Sequence, residues 1–442
     1  MIIIEEINIA DREGDELFTV VVEGDVIRKI LPSGTSVEAP GARVIDGGGL
    51  YLAPGFVDLH VHFRDPGFIC KEDIMSGSRA AAHGGYTTVC CMPNTSPAID
   101  SPDIVRYIDE RAASTGIVNV FAVGALTNGQ NGAVLSDMEG MDMARTLCRE
   151  LTGHGIAGVS EDGMSLMDEG LMREALHLAK RLGLVLMDHA EDKALMGGCV
   201  NEGPVSKALG VRGLPARAET NMVERDIRLA SDIGARLHIQ HVSAAGSVEL
   251  IRAAKADGVP VTAETAPHYF ALTEGILSTL PSEVRASAKM NPPLRTERDR
   301  LEVINGLADG TIDVIATDHA PHEVEMKSRP LEKAPFGIVG LETAFAVSYN
   351  ELVLGGVLTL PQLMDKMSSA PARLIGLDRG MICEGAVADL AVIDIDTPYT
   401  IDSATFLSRG KITPFDGHEV CGRPLLTMRC GVITYDAVSG IV

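Results

Sequence analysis

The most constraining feature of the sequence is an alternation that runs from about residue 57 to residue 354. Short apolar runs with the character of buried strands are each followed by a longer segment with the spacing of an amphipathic helix. The apolar runs cover residues 57–63, 87–92, 118–123, 156–160, 184–188, 236–242, 260–265 and 312–317. A doubly wound open sheet could use the same alternation, but eight consecutive units favour closure. We therefore predict an α/β fold in which the middle of the chain forms a (β/α)8 TIM barrel.

The predicted helices end in a repeated way, with a glycine just after the last helical residue, as expected at a helix C-terminus. These glycines are Gly84, Gly116, Gly153, Gly183, Gly234, Gly258 and Gly310. The helices are predicted at 72–83, 103–114, 141–152, 169–182, 220–233, 247–256 and 296–308, with another at 341–354. Ser247 is a predicted N-cap.

Both ends of the chain differ from the middle, because short β-like runs separated by turn residues replace the alternation. These runs cover 2–9, 18–22 and 26–30 near the start, and 388–394, 425–428 and 431–435 near the end. We predict that residues 1–52 and 379–442 together build one small composite β-sandwich domain, and that the barrel spans residues 53–378.

Composition excludes several classes of partner. The net charge of -23 argues against nucleic acid and anionic membranes. Eight cysteines without a CxxC pair indicate a reducing compartment. The N-terminus lacks a basic region, and no apolar run is as long as a membrane span, so we expect a cytoplasmic protein without a signal peptide. An anionic substrate would need locally concentrated positive charge, from metal ions or a placed arginine.

The ends of the predicted strands carry metal-ligand side chains, and in a barrel these ends share one face. His60 and His62 are two residues apart, so on a strand both rings point to the same side. The other candidates are Glu161 and Asp162 after the fourth strand, His189 after the fifth, His241 after the sixth and Asp318 after the eighth. Four histidines and two carboxylates suffice for two zinc ions that share a carboxylate. His238 has the opposite parity to His241, and His319 should point away from Asp318, so we read both as structural.

Several motifs in order make the resemblance specific: GFVDLHVHFRDPG, CMPNT, EDG, DHAED, QHVS, KMNPPLR, ATDHAPH and EKAPFGIVGLET. Together they resemble the longer-chain dihydroorotases of the amidohydrolase superfamily, from about Ala53 to the early 380s. The flanking β-domain is also similar to that family.

The resemblance implies a role for each metal ligand. His60, His62 and Asp318 resemble the ligands of a first Zn²⁺, and His189 and His241 those of a second. No lysine occurs between Lys71 and Lys180, so the carboxylated lysine of many superfamily members is ruled out at the fourth strand. Asp162 resembles the bridging ligand of the aspartate-bridged branch, together with a hydroxide. Glu161 is the competing carboxylate, and full or partial filling of the second site is left open.

The resemblance also implies the reaction, which interconverts N-carbamoyl-L-aspartate and (S)-dihydroorotate in pyrimidine biosynthesis. Asp318 is the expected catalytic base and acid, or else a ligand only. Arg64 shares the inward parity of His62 and is expected to bind the substrate carboxylate, unless it forms a structural ion pair with Asp65 or another acid. The other expected substrate contacts are His62, Asn94, Asn291, His322, Phe336 and Gly337. Residues 320–340 are predicted to form a mobile loop over the substrate.

Two other functions compete with this one. An allantoinase or hydantoinase would act on a cyclic amide without the ring carboxylate, so Arg64 discriminates against that class. An inactive scaffold partner of aspartate transcarbamoylase would have lost metal ligands, whereas all six are present here. The expected substrate is a small anion. A homo-oligomer, and an active enzyme that associates with aspartate transcarbamoylase, stay open.

Overall fold

The computed structural model describes residues 1–14, 16–37 and 39–437. Within these residues, eight parallel strands form the predicted barrel, and each pairs with the next in chain order. The barrel strands are Phe56–Val61, Tyr86–Cys91, Asn119–Ala125, Gly158–Ser160, Leu186–Asp188, Leu237–Ile239, Val261–Thr265 and Val314–Ile315. The (β/α)8 barrel is thus confirmed, with most strands a few residues shorter than the apolar runs.

The barrel closes between its first and eighth strands. A parallel bridge joins Val61 and His319, and the His62 N–H donates to the His319 carbonyl at 2.9 Å. Below this bridge the fully buried Asp58 carboxylate accepts hydrogen bonds from the Thr317 N–H at 3.2 Å and the Thr317 hydroxyl at 2.5 Å. A side chain therefore joins the two strands where backbone pairing is sparse.

The helices follow the predicted order. The longer ones are Ile74–His83, Pro102–Thr115, Glu169–Leu182, Arg217–Ile233, Ala245–Ala256 and Glu297–Asp309. Shorter α-helices are Met138–Asp142, Leu147–Thr152, Pro204–Leu209, Pro267–Ala271, Ile276–Thr279, Val324–Lys327, Ala344–Ser348, Leu360–Met364 and Ala370–Leu374, and π-helical turns at Tyr349–Leu354 and Asp365–Ser369 extend the later ones.

Two helix predictions were wrong in detail. The single helix at 141–152 is two helices, because Thr146 leaves the helix and its hydroxyl caps the second one through the Arg149 N–H at 3.1 Å. Ser247 is not an N-cap, since the helix begins at Ala245 and Ser247 is fully buried within its first turn.

The two ends of the chain form one mixed sheet, in which the strand order starts from the C-terminus and continues into the N-terminal strands. Its strands are Ile2–Ile9, Phe18–Glu23, Val26–Pro32, Arg43–Asp46, Tyr51–Pro54, Leu390–Asp394, Arg423–Arg429 and Val432–Asp436. The strand Ile2–Ile9 is irregular between Ile4 and Ile7, and residues from both halves of the sheet share one apolar core. The two ends therefore form the composite β-domain that the sequence predicted, in which the two halves of one continuous sheet, rather than two separate sheets of a sandwich, share a core.

The sheet also packs on the barrel, since the Thr427 hydroxyl donates to the Ala82 carbonyl at 2.6 Å. All eight cysteines lie in the described residues, and none of them forms a disulfide. None of the described helices is both long enough and apolar enough to cross a lipid bilayer.

Asp58 supplies the first test of this structure. We expect Asp58→Ala to lower the free energy of unfolding by roughly 3 kcal/mol, because it leaves buried donors at the barrel closure without an acceptor. Asp58→Asn keeps one acceptor oxygen and should cost about 1 kcal/mol. Denaturant unfolding of both variants measures the difference, and a loss below about 1 kcal/mol in Asp58→Ala would show that the closure does not depend on the carboxylate.

Candidate metal centre and active site

The structure brings the six predicted metal ligands to one point at the mouth of the barrel, around the buried Asp162 carboxylate. Asp162 Oδ1 lies 3.2 Å from His60 Nε2, 3.3 Å from His189 Nδ1 and 3.8 Å from His241 Nε2. Its Oδ2 lies 3.6 Å from His62 Nε2. On the other side, Asp318 Oδ1 lies 3.0 Å from His62 Nε2 and 3.6 Å from His60 Nε2.

The donor atoms of the cluster are crowded together, as ligand atoms of a shared ion are. His60 Nε2 is buried and makes no hydrogen bond, although two carboxylates lie within 3.6 Å. His189 Nδ1 and His241 Nε2 face each other at 2.7 Å. Two triads, His60–His62–Asp318 and His60–Asp162–His241, each have ligand atoms within 4.8 Å of one another. Imidazole and carboxylate donors converging in this way fit a divalent metal such as zinc.

Two neighbouring carboxylates at the fourth strand have different surroundings. The Glu161 carboxylate turns away and accepts hydrogen bonds from the Thr127 N–H, at 3.0 Å, and from the Thr127 hydroxyl. Asp162 faces the histidines instead. The structure therefore brings Asp162, and not Glu161, into the cluster.

Electrostatics keep the two cluster carboxylates ionised. Burial raises the pKa of Asp162 and of Asp318, but the positive charge of His60 and the contacts with His62 outweigh it. The net effect holds the pKa of both carboxyls below the ordinary value. Asp318 is thus a proton acceptor at neutral pH.

Three residues of the cluster region have a left-handed backbone although none is glycine: Arg64 at φ 61°, His241 at φ 34° and Asp318 at φ 48°. Such conformations cost free energy and persist where packing enforces them, often at functional sites. At Asp318 the next residue supplies part of that constraint. His319 points away, as predicted, with Nε2 3.3 Å from the Glu72 carboxylate, and Ser408 from the C-terminal region donates to the same carboxylate.

Carboxylates and an amide that the ligand prediction did not include orient the ligands. Glu264 Oε1 accepts from His60 Nδ1 at 2.7 Å, and its other oxygen lies 3.2 Å from His238 Nε2. Glu191 lies 3.5 Å from His189 Nε2, and Asn94 accepts from His62 Nδ1 at 2.9 Å. The hydrogen bonds from His60 and His62 fix the tautomer and orientation of these imidazoles, whereas Glu191 contacts the His189 ring without a hydrogen bond. For Glu264 the available signal was its place at the end of the seventh strand, and for Glu191 its place in the DHAED motif.

A cavity of about 680 Å³ opens beside the cluster. All seven predicted substrate contacts line it: His62, Arg64, Asn94, Asn291, His322, Phe336 and Gly337. Asp162, His189, His241 and Asp318 also form part of its wall.

Arg64 is free of the ion pair that the sequence left open. Asp65 accepts from the Tyr107 hydroxyl at 2.8 Å and lies 3.7 Å from Arg111. Within the described residues, Arg64 has no carboxylate within 4.0 Å, and its buried Nε has no hydrogen-bond partner. A guanidinium in this state is suited to binding an anion from the cavity.

Two further cavity residues, His322 and Asn291, each have a buried polar atom without a hydrogen-bond partner. His322 Nε2 donates to the Phe336 carbonyl at 2.8 Å, which leaves the buried Nδ1 without a partner. Burial and the charge of Arg64 lower the pKa of His322 to about 2, so its ring is neutral and Nδ1 is an acceptor. Asn291 donates to Glu191 at 2.9 Å, and its Oδ1 is likewise unpartnered.

Comparison with known proteins decides the family. A family model described as dihydro-orotase-like matches residues 49–247. The chain is 48% identical over 413 residues to the dihydroorotase of Pelotomaculum thermopropionicum, with 93% of each chain covered. It is 46% identical over 423 residues to that of Geobacter metallireducens, covering 95% of this chain and 96% of the other.

The chain belongs to the dihydroorotase family. Dihydroorotases are cyclic amide hydrolases, as are the solved structures that this fold resembles. The L-hydantoinase (dihydropyrimidinase) from Arthrobacter aurescens superposes with a TM-score of 0.85 at 26% identity, over 100% of this chain and 97% of that one. The barrel with its β-domain is thus common to both kinds of enzyme.

Glu264 gives a test of the metal centre that needs no activity. We expect Glu264→Gln to weaken zinc binding by about 10- to 100-fold, because the neutral amide no longer orients His60 as a carboxylate does. Competition with a chelating dye measures the affinity. Glu274→Gln is the matched control, since Glu274 is also buried but accepts from Asn201, away from the cluster. Equal affinities of the two variants would contradict the orienting role.

Proposed function

We propose that this member of the dihydroorotase family is a zinc-dependent dihydroorotase that interconverts N-carbamoyl-L-aspartate and (S)-dihydroorotate in the de novo synthesis of UMP. The observation that carries the proposal is Arg64, whose guanidinium has a buried, unpartnered Nε and no carboxylate partner among the described residues, in the wall of the cavity that holds the ligand cluster. A substrate with a ring carboxylate would supply the missing partner. The high identity to proteins named dihydroorotase supports the same substrate.

The ligand set supports two zinc ions. His60, His62 and Asp318 would hold the first ion, His189 and His241 the second, and Asp162 would bridge them. When bound, zinc lowers the pKa of a water molecule and polarises a carbonyl, which is what amide hydrolysis requires. Glu264 would keep His60, and Asn94 would keep His62, in the ligating tautomer.

Asp318 would carry the proton. In the hydrolytic direction a C–O bond forms at the ring carbonyl, the ring C–N bond breaks, and a water proton moves to the leaving nitrogen. Asp318 is ionised and so has a free carboxylate oxygen for that proton, and its place in the cavity wall lets it pass the proton on. The cyclisation runs through the same groups in reverse.

The remaining cavity residues would orient the ring. Arg64 would bind the carboxylate through two N–H groups, and Asn291 would add an amide contact. The unpartnered Nδ1 of neutral His322 would accept a ring N–H, and the backbone at Phe336 and Gly337 would contact the ring edge. Asn94 would orient the ligands His62 and Asp162, which its amide contacts, and would also contact the substrate from the cavity wall.

The competing functions fit these observations less well. Hydantoinases share the fold, but hydantoin and allantoin have no carboxylate at the position that Arg64 would bind. An inactive scaffold has no need for a complete ligand cluster with oriented imidazoles. The domain limits at 53 and 378, a cytoplasmic location, a homo-oligomer and association with aspartate transcarbamoylase stay predictions.

Arg64 tests the substrate assignment. Zinc-loaded protein should consume dihydroorotate, followed by loss of its ultraviolet absorbance, and Arg64→Ala should lower kcat/KM by roughly a hundredfold or more. Arg64→Lys keeps the charge without the fork and should recover only part of the loss. Metal analysis should find equal zinc in all three proteins. Turnover of hydantoin or allantoin without turnover of dihydroorotate would show that the protein is a hydantoinase or allantoinase instead.

The reaction itself has a pH dependence with a definite sign. Cyclisation converts a carboxylate into a neutral amide and takes up one proton, so acid favours dihydroorotate and alkali favours N-carbamoyl-L-aspartate. The equilibrium ratio should change about tenfold per pH unit near neutrality. Chromatography of mixtures started from either compound measures the ratio. A ratio that is independent of pH would mean that a different bond is being made and broken.

A further inference from the structure

Two lysines beside the cavity are buried without a carboxylate partner. Lys289 and Lys327 are each 2% exposed, and among the described residues neither ammonium has a carboxylate oxygen within 4.0 Å. A buried charge needs strong acceptors, and the chain is acidic enough to offer many. Both ammonium groups donate to backbone carbonyls instead, and these hydrogen bonds hold that backbone in place.

Lys289 holds the segment that follows the eighth strand. Its Nζ donates to the Leu331 carbonyl at 2.7 Å and the Ala334 carbonyl at 2.6 Å, and lies 4.5 Å from the centre of the Phe336 ring. Hydrogen bonds from a charged donor are stronger than those between neutral groups. The aromatic face adds a cation–π contact.

The backbone of Lys289 completes the attachment. Its carbonyl accepts from the Gly337 N–H at 3.1 Å and from Lys327 Nζ at 3.0 Å. Lys327 Nζ also donates to the Pro335 carbonyl at 3.2 Å. The segment 327–337 is therefore tied to one residue by both its side chain and its main chain.

This segment is part of the cavity wall. Glu332, Pro335, Phe336 and Gly337 line the cavity, and the Phe336 carbonyl accepts the His322 hydrogen bond. Gly337 has φ 118°, and a Cβ there would lie 2.6 Å from the Ala320 carbonyl, so the chain has little room to shift. Moving the carbonyls that Lys289 holds would move the wall against the substrate.

We propose that Lys289 is a positioning residue for the substrate: its ammonium fixes segment 327–337 so that Phe336, Gly337 and His322 meet the bound ring. The substrate part rests on the proposed dihydroorotase activity, and the attachment of the segment does not. Lys289 itself makes no chemical step. Its loss should weaken substrate binding and leave the metal cluster intact.

Lys289→Met tests this, because methionine has a similar length and no donors. Amide hydrogen exchange of segment 327–337, measured by mass spectrometry without substrate, should become about tenfold faster or more. KM for dihydroorotate should rise about tenfold, with kcat and zinc content little changed. Lys289→Arg should restore part of both effects. Lys327→Met should act in the same direction and replaces Lys289→Met if that variant fails to fold.

Lys366→Met is the matched control. Lys366 is also a buried lysine, 8% exposed, and donates to the Ile312 carbonyl at 2.7 Å, but it does not line the cavity. It should leave exchange in 327–337 and KM unchanged. Unchanged exchange in Lys289→Met, or faster exchange with an unchanged KM, would overturn the proposal. If the wild type does not turn over dihydroorotate, the exchange measurement still decides the attachment, and the proposed function alone fails.

Discussion

The convergence of four imidazoles on the Asp162 carboxylate is the constraint on which the active site depends. His60 and His62 come from the first strand and reach that carboxylate across the barrel mouth, while His189 and His241 follow the fifth and sixth strands. Thr127 donates hydrogen bonds to the Glu161 carboxylate, so that of these two adjacent carboxylates only Asp162 faces the histidines. In an otherwise acidic chain, Arg64 places a buried positive charge in the cavity wall beside this cluster.

Residues behind the ligand histidines hold the imidazole rings in place. Glu264 connects His60 to His238, Glu191 connects His189 to Asn291, and Asn94 connects His62 to Asp162. Each connection joins a ligand to a residue from a different strand or loop, so the ligand directions are set by the whole barrel. The left-handed backbone at His241 and Asp318 costs free energy that the surrounding contacts must offset.

The cavity wall formed by segment 327–337 is held mainly by lysine side chains rather than by regular secondary structure. Segment 327–337 has few regular elements, and two lysine ammonium groups on carbonyls take the place of a helix or sheet. The C-terminal region also contributes to the catalytic face, because Ser408 and Glu72 hold His319 beside Asp318. The C-terminal region and the barrel therefore meet at the residue next to the proposed base.

The sequence by itself determined the barrel and the candidate metal ligands that converge at its mouth. Continuous apolar strands, glycine after helices and histidines at strand ends follow from local geometry, so the amino-acid order alone suffices to name His60, His62, His189, His241 and Asp318 as candidates. The tertiary structure decided what depends on distant neighbours. It separated Asp162 from Glu161 through Thr127. Asp65 accepts a hydrogen bond from Tyr107 and leaves Arg64 without an ion pair. His238, which strand parity had placed away from the ligands, contacts the same Glu264 carboxylate that orients His60. The tertiary structure also divided the helix predicted at 141–152, because a hydroxyl cap at Thr146 competes with helical propensity. The carbonyls around Lys289 lie some forty residues further along the chain, and no local pattern brings them together.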